Sequence, residues 1–183
     1  MKYFILNVSE DYSPPELKDW RGKLDRQTLS TLGNHDLPEH SIFYIDEDHM
    51  QTMWTDIILK PQFMVSKATY DCLKMYEKNL QSTRLLLSKP KANESRPYYL
   101  IHLPVIDAFT TESEIKPERV ESGVINENKL QDRAIANVKI DSVSSCIVIR
   151  EDLAESLLTH SAIGIGLQSL KVIRTNKNIR SRF

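Results

Sequence analysis

One pattern occurs twice in the second two thirds of the chain, and it constrains the fold more than any other feature. Each copy has a short apolar run, a helix-like segment and a second extended run. The first copy comprises residues 63–66, 67–80 and 85–87, and the second comprises residues 146–150, 151–160 and 165–172. A short apolar run that passes into a segment of 3.6-residue period predicts a strand followed by a helix. The sequence therefore predicts repeated strand–helix–strand units.

These units predict an α+β fold, a mostly antiparallel sheet with two main helices packed on one face. Antiparallel pairing is expected because the linkers within each half are mostly too short for parallel crossovers. Ser66 is expected to cap the first helix, and Leu153, Leu157 and Leu158 are expected to form the inner face of the second. Further strands are predicted at residues 3–8, 42–45, 54–60, 98–109 and 134–140, with residues 110–129 polar and variable.

Glycines after the second helix indicate where that helix ends. Gly164 fits a helix stop, and Gly166 fits a close approach between two backbones. The segment lacks the third glycine of a dinucleotide-binding loop and the lysine of a phosphate-binding loop. No serine lies in a nucleophile elbow. The sequence therefore predicts no cofactor and no catalytic residue.

The charges divide the chain into an acidic and a basic part. Residues 1–56 hold 11 acids and 5 bases, whereas residues 57–183 hold 14 acids and 19 bases. We interpret residues 1–56 as an acidic, β-rich N-terminal segment and residues 57–183 as the α+β domain, the two forming one continuous globular unit. The asymmetry fits a partner surface, and it fits equally two solvated faces that attract each other in the fold.

Three further observations bear on the compartment and on the class of partner. The apolar runs are far shorter than the ~20 residues of a membrane span, and no secretory signal is evident. Cys72 and Cys146 lie in apolar surroundings, which favours two reduced, buried thiols in a cytoplasmic protein. Residues 171–183 hold five bases, no acid and no interleaved aromatics, which favours a frayed, solvated end over nucleic-acid binding.

Only one region groups residue types that bind metals. The stretch from Gly33 to His40 contains four possible ligands, His35, Asp36, Glu39 and His40, and His49 lies nearby. A zinc site needs three or four ligands in fixed geometry, and Gly33 and Pro38 make a regular helix unfavourable here. We interpret the region as a polar surface loop and predict no metal. A small metal-dependent hydrolase that uses the His35–His49 region is the alternative.

An acidic group next to a tryptophan forms the sharpest surface feature. It consists of Asp46, Glu47, Asp48, Trp54 and Asp56. Tryptophan is favoured at the centre of interfaces, and opposite charge raises association rates, so the group fits contact with a basic partner protein. The alternative is a charged turn that ends the strand at residues 42–45, with Trp54 in the core.

Three stretches resemble a known family. Residues 63–66 enter a helix, residues 98–114 read YYLIHLPVIDAFTTESE, and residues 146–170 read CIVIREDLAESLLTHSAIGIGLQSL. With Asp107, the pair Ser113-Glu114 and Gly164, these stretches resemble immunity protein family 11 of bacterial polymorphic toxin systems over residues 54–172. The resemblance implies a cytoplasmic protein that binds and neutralises a cognate secreted toxin, with no enzymatic activity and no cofactor.

Our first hypothesis is therefore an immunity protein that occludes its toxin, with Asp46, Glu47, Asp48, Trp54 and Asp56 as the contacts. The alternatives are the metal-dependent hydrolase and a regulatory binding module without a toxin partner. A homodimer is also considered, because an exposed sheet edge can pair with a second copy.

Overall fold

The protein has a mixed, sheet-rich fold. A computed structural model describes residues 1–24, 41–47, 52–117 and 119–174. In chain order, the elements within these ranges are β1 (Tyr3–Val8), β2 (Ser41–Tyr44), β3 (Ile57–Ile58), β4 (Met64–Ser66), α1 (Lys67–Tyr76), β5 (Gln81–Lys89), β6 (Glu94–His102), β7 (Val105–Ile106), β8 (Glu114–Lys116), β9 (Arg119–Ser122), β10 (Val124–Asn126), α2 (Glu127–Leu130), β11 (Ile135–Lys139), β12 (Ser145–Arg150), α3 (Glu151–Thr159) and β13 (Ile165–Ile173). The predicted combination of helices with a larger share of strands is confirmed. Among the residues in these ranges, no helix is both long and apolar enough to cross a membrane.

The strands pair into three sheets within the described part of the chain. One has the order β10-β13-β1-β12-β11-β7, a second has the order β2-β5-β6-β4-β3, and β8 pairs with β9. Antiparallel pairs predominate, but β2 with β5, β7 with β11 and β10 with β13 are parallel. Each parallel pair joins strands about 30 or more residues apart in the chain, a distance that leaves room for a crossover.

The chain divides into two compact units. Unit 1 comprises Met1–Leu6, Pro104–Ala154 and Leu167–Phe183, and unit 2 comprises Asn7–Leu103 and Glu155–Gly166. Both units are therefore built from stretches that are separated in sequence. The boundary expected between residues 56 and 57 lies inside unit 2.

Unit 1 contains a core of apolar side chains from its strands and from α2. The buried side chains of this core form one cluster: Tyr3, Ile5, Ala108, Phe109, Val120, Ile125, Leu130, Ala136, Val138, Val148 and Leu170. Two of them, Val120 and Ile125, lie in residues 110–129, where the sequence indicated a polar and variable segment. That segment contains β8, β9 and β10, which sequence reasoning missed because these strands are short and mostly polar.

Unit 2 contains a core on one face of the five-stranded sheet. We call this the inner face; its strands bury Phe43, Met64, Leu85, Leu87, Tyr98 and Leu100. Leu17, Leu24, Ile45 and Ile58 complete the cluster. Alternate residues of these strands point to the opposite, outer face, because successive side chains of a strand alternate in direction.

Helix α1 follows β4 directly and begins where the sequence predicted. The Ser66 side chain accepts the backbone N–H of Thr69, which confirms Ser66 as the N-cap. The helix ends at Tyr76, four residues before the predicted end at residue 80. Tyr70 on the helix stacks on Tyr99 of β6 with ring centroids 4.2 Å apart, so α1 packs against the outer face of the sheet.

Helix α3 runs from Glu151 to Thr159, one residue shorter than predicted. Leu153 and Leu157 are fully buried as expected, but Leu158 is 53% exposed, so its placement on the inner face was wrong. Ala154 is buried instead. Positions 153, 154 and 157 form a stripe on one side of a helix, and position 158 lies a further ~100° around the axis from position 157.

Of the two glycines after α3, only Gly166 has the role predicted for it. The helix stop predicted at Gly164 was wrong, because Ser161 adopts the left-handed φ of +54° and the Ala162 N–H donates to the Leu157 carbonyl oxygen at 3.1 Å, which ends the helix before Gly164. Gly164 adopts a φ of +85°, the left-handed conformation that favours glycine. A Cβ atom on Gly166 would lie 3.3 Å from the backbone nitrogen of Ser9, which confirms the close approach. The expected fraying from residue 171 is wrong for its first part, because β13 continues to Ile173.

Two predicted strands are shorter than expected. The third predicted strand, residues 54–60, is reduced to Ile57–Ile58. The long strand predicted at residues 98–109 is split, because β6 ends at His102 and β7 begins at Val105. Pro104 lies in the gap and has no N–H to donate to a neighbouring strand.

Candidate functional site

Glu47 follows β2 and organises the turn between β5 and β6. Its Oε1 accepts the backbone N–H of Lys91 at 3.0 Å, and its Oε2 accepts that of Ala92 at 3.1 Å. Hydrogen bonds to an ionised acceptor are stronger than neutral ones. The Glu47 side chain therefore fixes the tip of the β5–β6 hairpin against the end of β2.

Asp46 is held by a neighbouring segment of unit 2. Its carboxylate lies 3.1 Å from the Lys18 ammonium, and its backbone N–H donates to the Glu16 carbonyl oxygen at 2.8 Å. Both side chains of the ion pair are partly exposed, and such pairs contribute about 0–1 kcal/mol. The backbone bond thus sets the position of Asp46 more firmly than its charge does.

Trp54 is fixed from several sides and keeps part of its surface exposed. Its ring stacks on Tyr98 with centroids 6.1 Å apart, and its Nε1 donates to Glu94 Oε2 at 2.6 Å. Lys89 Nζ lies 4.7 Å and the Arg96 guanidinium 5.0 Å from the ring centroid, both within range of a cation–π contact. Trp54 also packs against the core cluster of unit 2. The tryptophan is therefore held rigidly while it stays accessible.

The side chain beneath Trp54 is also fixed. Tyr98 is fully buried, and its hydroxyl donates to the carbonyl oxygen of Thr55. Burial raises the pKa of Tyr98, and the charge of Asp56 raises it further. The hydroxyl consequently stays protonated and keeps its role as a donor near neutral pH.

Asp56 joins the start of α1 to the segment after α3. Its Oδ1 accepts from Ser66 Oγ at 2.5 Å, and its Oδ2 accepts from the Ile163 N–H at 2.6 Å. The main chain adds two bonds, from Asp56 N–H to the Ile163 carbonyl at 2.8 Å and from Ser66 N–H to the Asp56 carbonyl at 2.9 Å. Asp56 thus connects three segments of unit 2.

Glu47 and Trp54 both contact the β5–β6 hairpin, whereas the Asp56 carboxylate contacts Ser66 and Ile163. Residues around the hairpin tip form a mixed surface, which we call the hairpin-turn surface: Glu47, Met53, Trp54, Glu94 and Arg96. Met53 is 47% exposed within it. Sequence reasoning missed Glu94 and Arg96, although their spacing of two residues in a strand places both side chains on one face.

Some candidate residues lie outside the described ranges. These are Asp48 of the acidic group and His35, Asp36, Glu39, His40 and His49 of the histidine-rich region. Within residues 1–24, 41–47, 52–117 and 119–174, no three side chains of the metal-binding types come close enough to hold an ion.

The surroundings of Cys72, Cys146 and Ser156 do not activate any of them as a nucleophile. Cys72 Sγ lies 3.3 Å from Ser156 Oγ, and Nδ1 of His160 lies 2.7 Å from the Ser156 carbonyl oxygen. A carbonyl oxygen only accepts, so Nδ1 carries the proton and is no base for the Ser156 hydroxyl. Burial raises the pKa of the Cys146 thiol to about 12, which leaves it protonated near neutral pH.

No protein-family model and no curated protein matches this chain. The resemblance to immunity protein family 11 stays a prediction, and it rests on the residues quoted for it.

Proposed function

We propose that this protein is a cytoplasmic immunity protein that binds a cognate toxin and neutralises it by occlusion, without a catalytic step or a cofactor. The observation that carries the proposal is the environment of Trp54. Its ring is partly exposed, lies against two cations and is hydrogen-bonded at Nε1.

Such an environment suits a protein-binding anchor. Tryptophan, arginine and methionine are enriched in interface cores, and the hairpin-turn surface contains Trp54, Arg96 and Met53. A side chain that is already immobile loses little conformational entropy on binding. A specific interface buries roughly 800 Å² on each partner, an area that a 21.2 kDa protein can supply.

The predicted contact residues divide into two roles under this proposal. Asp46, Glu47, Asp48 and Trp54 contact the toxin. Each oxygen of Glu47 has a lone pair left after its bond to the hairpin, so the carboxylate can accept again. Asp56 does not contact the toxin and instead stabilises unit 2, because its carboxylate accepts hydrogen bonds from Ser66 and Ile163.

We also propose that the two strand–helix–strand units are repeats whose helices cover one face of a sheet. The order β4-α1-β5 corresponds to β12-α3-β13, and in both cases the helix begins at the residue after the strand. The matching order of elements supports the proposed repeat.

The resemblance implies that the gene of the cognate toxin is adjacent to that of this protein, so co-expression with the product of the neighbouring gene, called the neighbouring toxin below, tests the function. We expect the wild-type protein to restore growth, and Met53→Asp to weaken binding about tenfold or more by placing a charge in the contact surface. Met75→Asp is the matched control, because Met75 is 60% exposed on α1. A toxin that stays fully active beside the wild-type protein refutes the function. Equal effects of the two substitutions refute the hairpin-turn surface as the contact.

A further inference from the structure

The outer face of the unit 2 sheet carries a second exposed surface, at its β2 end. We call it the outer patch: Ile42 and Tyr44 of β2, Arg84 and Leu86 of β5, and Pro97 of β6. Ile42 is 51% and Tyr44 52% exposed, although both belong to a strand. Ile42 pairs with Leu86, and Leu86 pairs with Pro97, so three apolar side chains lie side by side across three strands.

A groove in this surface has the size of one side chain. It is lined by Ile42, Arg84, Leu85 and Leu86 and has a volume of about 170 Å³. Sites for small-molecule ligands usually measure about 300–1,000 Å³. The groove therefore suits an inserted apolar side chain of a protein better than a free ligand.

The charge of the outer patch indicates which group of the partner would lie beside the inserted apolar side chain. Arg84 is exposed, and within the described part of the chain its guanidinium has no hydrogen bond and no ion pair. The outer patch contains no acidic residue. A planar guanidinium is best matched by a carboxylate, which it binds through two parallel hydrogen bonds.

Two observations argue against a second copy of this chain as the occupant. The end of the β2 edge is already used, because Lys18 N–H donates to the Tyr44 carbonyl and Asp46 N–H to the Glu16 carbonyl, both at 2.8 Å. A twofold dimer through the outer patch would also bring two copies of Arg84 together, and like charges across an interface are unfavourable.

We propose that the toxin inserts an apolar side chain into the groove of the outer patch and places a neighbouring carboxylate on Arg84. This inference rests on the proposed function and adds the chemistry of the toxin segment. Tyr44 lies three residues before Glu47, about 10 Å along an extended chain. Trp54 and Arg96 of the hairpin-turn surface lie on the inner face, so a toxin that contacts both surfaces reaches around the β2 edge of the sheet.

The test is the affinity of purified variants for the neighbouring toxin, measured by titration calorimetry. We expect Arg84→Met to raise Kd roughly 30-fold and Ile42→Ser roughly tenfold. Arg133→Met and Leu158→Ser are the matched controls and should change Kd less than about twofold. Arg133 lies in unit 1, and Leu158 is as exposed as Ile42. An unfolding midpoint recorded for each variant separates lost contacts from lost folding.

The possible outcomes separate the two proposals. No binding by the wild-type protein removes the proposed function and this inference together. Wild-type binding with unchanged affinity of both outer-patch variants overturns this inference alone. A wild-type dimer that Ile42→Ser dissociates also overturns it, because a second copy then covers the outer patch. Restoration of Arg84→Glu binding by an acid-to-lysine change in the toxin identifies the carboxylate and supports the inference.

Discussion

Removal of the Asp56 carboxylate should destabilise unit 2 even in the absence of any partner. The carboxylate accepts one bond from Ser66 Oγ and one from the Ile163 N–H. Hydrogen bonds to charged groups contribute about 1.5–3 kcal/mol each. Asp56 is partly exposed, so water replaces some of this stabilisation. We expect Asp56→Ala to lower the free energy of unfolding by about 3 kcal/mol.

Urea denaturation followed by fluorescence measures this change. A loss of 3 kcal/mol corresponds to a fall in Tm of roughly 6–12 °C for a chain of this size. Asp11→Ala is the matched control, because Asp11 is an exposed acid of unit 2. The control should change the unfolding free energy by less than about 0.5 kcal/mol.

A double-mutant cycle tests the assigned contact. Ser66→Ala and Asp56→Ala should be non-additive by about 1 kcal/mol, because each removes the same hydrogen bond. A loss below about 1 kcal/mol for Asp56→Ala, or additive effects in the cycle, would refute the structural role of Asp56. The residue would then be available as a direct toxin contact.

Two further predictions concern Gly164 and Glu127. Gly164→Ala should destabilise the protein by more than about 2 kcal/mol, since the new Cβ would lie 2.7 Å from Thr55 Cγ2 at a φ of +85°. Gly22 also has a positive φ, of +74°, but a Cβ atom added there would meet no atom within 4 Å, so Gly22→Ala should cost only about 1 kcal/mol. Equal losses of stability for Gly164→Ala and Gly22→Ala in thermal unfolding would contradict this prediction. A hydrogen bond from Arg174 lowers the pKa of Glu127 from its ordinary 4.5, so the folded pKa lies below the unfolded one. The pair should therefore stabilise the protein fully above that value and lose the stabilisation as pH falls through the folded pKa, and parallel pH–stability curves for wild type and Glu127→Gln would disprove this.

Local signals in the sequence predicted local structure well. Ser66 lies at the junction of an apolar run and a helical period, and the structure has its helix start there. Gly166 likewise marks a close approach between two backbones, where a Cβ atom would lie 3.3 Å from the backbone nitrogen of Ser9. Such signals lie in one residue or in a few neighbouring residues, so a single sequence contains the information.

Features that depend on distant residues could not be predicted. The sequence around Asp56 is typical of an exposed acid, but its partners Ser66 and Ile163 lie 10 and 107 residues away along the chain. The same holds for Glu47, whose amide partners lie more than 40 residues along the chain. An exposed acid and an acid bonded to remote backbone amides look identical in sequence, so the contact and structural roles could not be separated.

The interrupted composition of the two units affects the order of events during synthesis. A nascent chain that has emerged as far as Leu103 still lacks Glu155–Gly166, the last stretch of unit 2, which includes the Ile163 amide bound by Asp56. Ribosomes add about 5–20 residues per second, so that stretch follows roughly 3–13 s later. During this interval β2, β5 and β6 can pair, but the bond between Asp56 and Ile163 cannot form. Completion of unit 2 therefore follows the synthesis of Pro104–Ala154 of unit 1.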